Sequence, residues 1–340
     1  MDWNCAPTCI GSLPHLDEKK AVDTVLAHLR EVPYWPQLPH LGFEENMYAQ
    51  FAARLPGVIV DGEAKRVTID LGSYDPTSFY EDVLEEKVER FAFPQQGFAG
   101  LQELLRRDLG AVKAVKGQVT GPVSMGLQII DQSGKPAIYD EAYGEIIRKN
   151  INLCARYQIS KLKEKCPNVL LFLDEPSISL VGTPFAPIAK ESVTAWIDEV
   201  FEQWNCVKGV HCCGNTDWPM VLSSSLDVLS FDAYSYAFTI PLFPLEFKQF
   251  LDRGGSLAWG LIPNMEHRLE KESPVTLASR FDDTLETMVR KGFDKEALLR
   301  SSIITPQCGL GGLTVAEAEQ VLDLLVGTSK EIRRRHKLEV

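Results

Sequence analysis

At 340 residues the chain can hold two ordinary domains or one large one, and a core of that size needs no covalent staples. Its 45% hydrophobic and 24% charged residues are those of an ordinary soluble globular protein. The net charge of −12 argues against a nucleic-acid or anionic-membrane surface, which calls for clustered Lys and Arg.

The N-terminal stretch MDWNCAPTCIGSLPH has no basic segment leading into an apolar run, so no signal peptide is expected. No run reaches the length of a membrane span. A cytoplasmic protein follows, whose eight cysteines are thiols or ligands rather than a disulfide framework.

Short apolar strands are predicted at 8–13 (TCIGSL) and 32–38 (VPYWPQL). Residues from about 55 to 112 are too long for one crossover helix, and KRVTID (65–70) alternates like an extra strand. This region reads as an insertion of a hairpin and helices between the second and third strands. Further strands are predicted at 114–122, 168–176, 207–213, 227–235, 256–263 and 301–308. Helices are expected between them, as at 190–204 and 277–292, where apolar residues recur every three or four positions. Arg333, Arg334 and Arg335 read as a solvated C-terminal helix end. Eight apolar strands alternating with helices predict an α/β chain folded as a (β/α)8 TIM barrel, one domain over residues 1–340.

Active sites of such barrels lie at the C-terminal strand ends. Ser12, Asp174 with Glu175, His211 with Cys213, Asp232 and Cys308 stand there. Side chains alternate along a strand, so His211 and Cys213 share a face and Cys212 packs on the other, against the helices. Adjacent cysteines that point apart do not make a redox pair. One imidazole, two thiolates and a carboxylate form a zinc-type donor set, drawn from distant strands as catalytic sites are. Buried filler remains the competing reading. GLGGL (309–313) lacks the Lys-Ser/Thr of a P-loop and reads as a tight turn. PYWPQLPHLGF (33–43) either lines a cofactor face or packs on the barrel.

IGSLP (10–14), TGPV (120–123), LDEP (173–176), HCC (211–213) and TPQCGL (305–310) occur in this order across the chain. Together they resemble the catalytic half of cobalamin-independent methionine synthase, within the barrel superfamily of uroporphyrinogen decarboxylase and corrinoid methyltransferases. The resemblance implies zinc held by His211, Cys213 and Cys308, with Asp232 at the position of a glutamate ligand. It implies that Ser12 and Asp174 hold the amino-acid part of homocysteine, with Glu44 (or its neighbour Glu45) as a third contact. The implied activity is a zinc-dependent thiol S-methyltransferase that activates homocysteine as its zinc thiolate and yields methionine.

Three departures from that family concern the methyl donor. No second barrel is expected, Gln128 stands near the position of the family's folate-stacking tryptophan, and Leu261 stands where the family has a histidine used in protonation. Folate must be protonated to leave, whereas a corrinoid leaves as cobalt(I). The expected donor is therefore methylcobalamin, presented by a corrinoid protein as partner. Alternatives are methyltetrahydrofolate as donor, another acceptor such as coenzyme M, or a non-catalytic corrinoid- or metal-binding accessory protein.

Overall fold

The computed structural model describes residues 1–94 and 96–339. Among them nine strands form: β1 (Ala6–Pro7), β2 (Val58–Asp61), β3 (Arg66–Ile69), β4 (Val115–Thr120), β5 (Val169–Asp174), β6 (Val207–Cys212), β7 (Val228–Phe231), β8 (Ser256–Ile262) and β9 (Ser302–Pro306). Seven make one curled parallel sheet in the order β1-β9-β8-β7-β6-β5-β4, while β2 and β3 pair antiparallel as a separate hairpin. Helices cover the sheet, among them Glu141–Lys163, Lys190–Val200, Pro274–Arg290 and Val315–His336. The architecture is α/β and TIM-barrel-like. Among the described residues no helix is long and apolar enough to cross a membrane.

Two predicted strands are corrected. Residues 8–13 do not form a strand: after Thr8 N donates to Ile304 O, the chain leaves β9 and turns to Gln37. Residues 32–38 form only isolated bridges, Tyr34 with Lys116 and Ser12 with Gln37. Pro33 and Pro36 have no N–H to give a ladder, so pairing is intermittent. Lys116 N still donates to Pro33 O, and Gln37 N to Gly11 O, so this segment lies between the two edge strands β1 and β4. The strand predicted at 227–235 stops at Phe231, because Asp232 caps the short helix Ala233–Tyr236.

The inward faces change character along their length. Leu170, Phe172, Val228, Ala258 and Ile303 form a buried apolar plug with Ala6. Two or four residues further along the same faces come Asp174, Ser230, Asp232, Thr305 and Gln307, all buried. The plug excludes water below, so each of these polar groups needs a protein or ligand partner.

The arginine run is also corrected. Arg333 is buried, donating to Glu31 through both terminal nitrogens at 2.6 and 2.9 Å and to Asn4 O through Nε. It clamps the last helix to the N-terminal segment, and only Arg334 is well exposed.

Candidate metal centre

His211, Cys213 and Cys308 meet at the C-terminal ends of β6 and β9, with their donor atoms all within 4.8 Å of one another. The register that pairs His211 with Ser230 on β7 puts Ser230 Oγ 2.9 Å from His211 Nδ1. A proton on Nδ1, donated to that hydroxyl, leaves the Nε2 lone pair free. Nε2 is buried and has no hydrogen-bond partner. Cys308 and His211, close beside it, hold the Cys213 thiol well below the usual thiol range. Cys213 beside it and burial hold Cys308 well above that range. Two sulfurs and an imidazole nitrogen drawn to one point, with an orphaned ring nitrogen, fit Zn2+. Cys212 faces away, fully buried, and burial pushes its thiol up to about 12.

Asp174 ends β5 beside this group. It is buried, Oδ1 lacks a partner, and burial pushes its carboxyl up to about 6 against the opposing pull of Lys116 and His211. Glu175 looks similar in sequence but does a different job. Its carboxylate accepts from Val123 N, Ser124 N and Ser124 Oγ at 2.7–2.8 Å, closing the N-terminus of the helix Pro122–Gln128.

Ser12 is half-buried beside the segment that follows β9, where Gly311 N donates to its Oγ at 3.1 Å and Leu310 N to its carbonyl. The GLGGL stretch is thus a turn that holds Ser12 against Gly309, next to Cys308. A cleft of about 740 Å³ opens there, lined by Ser12, His40, Asn46, Lys65 and Gly311. Glu44 is exposed in the 3-10 turn Phe43–Glu45, and no contact brings it to the sulfurs. Glu45 is buried and accepts from Ala99 N at 2.9 Å, capping another helix. Asp232 is buried but outside the three-residue donor group. Trp35 and Tyr34 are fully buried, Trp35 Nε1 donating to Gln158, so this stretch packs rather than presenting an aromatic face.

Three residues were missed in the sequence: Ser230, Gln307 and Lys116. Each lies two residues from another inward polar group on its strand or just past the strand's end, and that period of two was the available signal. Lys116 is fully buried on β4, donating to Ile10 O at 2.8 Å and Gln118 Oε1 at 3.1 Å, with its ammonium 4.7 Å from the Phe172 ring centroid. Burial pushes it down to about 8. The unfolded chain therefore binds more protons than the folded one between roughly pH 8 and 10.5, and this group's contribution to stability rises with pH there. Five thiols, Cys5, Cys9, Cys154, Cys206 and Cys212, are pushed up by burial in whole or in part and act in the opposite sense above pH 9. The difference between wild type and Lys116→Met isolates the lysine. Urea unfolding is expected to show wild type gaining about 3 kcal/mol on the variant between pH 7 and 10.5. A pH-independent difference would mean that the lysine is not held against its charge.

No protein-family profile matches the sequence, and no curated protein sequence matches it either. Solved structures do match. A B12-independent methionine synthase from Shewanella sp. W3-18-1, solved in complex with selenomethionine, superposes with a TM-score of 0.61 at 15% identity, over 98% of this chain and 100% of that one. A methyltransferase from Methanosarcina mazei superposes with a TM-score of 0.57 at 13% identity, over 94% and 93%. The likeness is one of fold. At such identities it says what the backbone resembles, and the side chains must carry the argument about chemistry.

Proposed function

We propose that this chain is a zinc-dependent thiol S-methyltransferase, a single closed (β/α)8 barrel over residues 1–340 acting in the cytoplasm, that methylates homocysteine to methionine. The observation that carries the reading is the convergence of His211, Cys213 and Cys308, with His211 Nε2 buried and unpartnered. The match of both structural neighbours over almost the whole chain supports it.

In this reading His211, Cys213 and Cys308 hold the metal, with Asp232 the nearby strand-end carboxylate. Bound zinc lowers the pKa of a thiol, which otherwise is only a few per cent ionised at pH 7. That gain is roughly 30-fold in thiolate, partly offset because nucleophilicity falls with basicity. The protein must supply the rest by alignment, for which roughly 7–11 kcal/mol is available. Asp174, with its free Oδ1, receives the acceptor's ammonium group, and Ser12 its carboxylate end. Glu44 lies at the rim and would contact an acceptor only if its turn closes inward. The S–H proton passes to bulk water, the sulfur–carbon bond forms as the donor–methyl bond breaks, and the electron pair of that broken bond stays with the donor.

The donor in this reading is methylcobalamin, brought by a corrinoid protein. Leu261 is buried and apolar, and Gln128 is an exposed amide at a helix end, so neither can protonate a folate leaving group. The test is methionine formation by zinc-quantified protein given homocysteine with methylcobalamin or methyltetrahydrofolate. Turnover with methylcobalamin alone is expected. Turnover with methyltetrahydrofolate would overturn the donor assignment. Bound zinc with no product from either donor, but methylation of coenzyme M, would move the acceptor to another thiol.

A further inference from the structure

A carboxylate at a strand end beside one imidazole and two thiols has the chemistry of a fourth zinc ligand. The bonds of Asp232 point elsewhere. Its Oδ1 accepts from Ser235 N at 2.8 Å, capping the helix Ala233–Tyr236, and from Gln307 Nε2 at 2.8 Å. The same Nε2 reaches Ser235 Oγ at 3.1 Å. Gln307 immediately precedes Cys308, so the segment that supplies a sulfur also restrains the carboxylate. Among the described residues, the donor group within 4.8 Å contains no carboxylate.

Moving Asp232 to the metal would strip two donors, Ser235 N–H and Gln307 Nε2–H, of their acceptor. Gln307 and Asp232 are only 5% and 6% exposed, so water does not readily replace those bonds. The cost falls on the ligated state alone.

We infer that Gln307 is a positioning residue that latches Asp232 away from the metal, leaving three protein donors and a fourth position open to the substrate sulfur. The inference rests on the zinc reading above. Substrate then enters without expelling a protein oxygen.

The test is zinc affinity by chelator competition, with zinc-edge X-ray absorption, on the full chain and its variants. Asp232→Asn keeps an acceptor oxygen for Ser235 N. It is expected to bind zinc within about threefold of wild type, since losing even an outer partner of a ligand costs about 10-fold. Homocysteine should raise the sulfur count at zinc from two to three in both proteins. Gln307→Leu frees the carboxylate and is expected to tighten zinc binding at least about fivefold, less than one such outer-partner effect. That gain should vanish in the Asp232→Asn/Gln307→Leu double variant. A loss of tenfold or more in Asp232→Asn would show that the carboxylate is a ligand and overturn the latch, as would no tightening in Gln307→Leu. Wild type without zinc, or Cys308→Ala binding zinc as tightly as wild type, would instead overturn the metal reading and the latch with it.

Discussion

Cys308→Ala is expected to lose zinc and turnover together. With one sulfur gone, only His211 and Cys213 remain, and two protein donors do not make a zinc site of the usual three or four. Removing even an outer partner of a ligand costs 10–100-fold in affinity, so a fall of at least about 100-fold is expected for the ligand itself. Turnover at pH 7 falls by up to about 30-fold from the lost thiolate population, an effect partly offset by the greater basicity of the free sulfur, and further because the sulfur is no longer aligned. Cys308 is half-buried and lies just beyond β9 rather than filling the apolar plug, so the fold should survive. Zinc per chain, initial rate and the thermal unfolding midpoint, measured on one preparation, separate a lost site from a lost fold. One zinc per chain with undiminished rate would sink the site assignment.

Asp174→Asn should behave in the opposite way, keeping zinc and losing the acceptor. The substitution preserves shape and removes the charge that an ammonium would seek at Oδ1, which is buried and unpartnered in the free protein. Hydrogen bonds to charged groups contribute about 1.5–3 kcal/mol, so KM for homocysteine should rise about 10- to 150-fold. Zinc content should stay at the wild-type level, because no Asp174 oxygen belongs to the donor group. The stability of the fold should not fall, since the burial of the native carboxylate outweighs the pull of Lys116 and His211 on it. The split between an intact metal and a weakened acceptor is the diagnostic. Zinc lost from Asp174→Asn would place this carboxylate in the metal's shell instead.

Apolar runs and period-two alternation located the strands that reach the mouth, because a sheet buried on both faces writes continuous hydrophobic segments into the chain. They failed at 8–13 and 32–38, where Pro33, Pro36 and a turn toward Gln37 break the ladder while the residues remain buried. Burial was legible there; hydrogen-bond continuity was not. The carboxylates show the same limit. LDEP offers two adjacent acids, yet strand alternation and helix placement leave Asp174 free in the mouth and commit Glu175 to three donors. In GFEENMYAQF, Glu44 is exposed while its neighbour caps a distant helix.

By itself, the sequence determined which residue types stand at the strand ends and which side of each strand they share, since both follow from position and a period of two. It thereby named His211, Cys213 and Cys308 as candidates for one site. Only the tertiary structure decided whether their donor atoms meet, because that depends on the register between strands far apart in the chain. It also decided that Asp232 faces Gln307, that Lys116 lies buried inside the sheet, and that Arg333 closes on Glu31. Those are partner choices among distant groups. A hydrogen bond has no local signature in either residue that makes it, so it appears only when the chain has brought the two together.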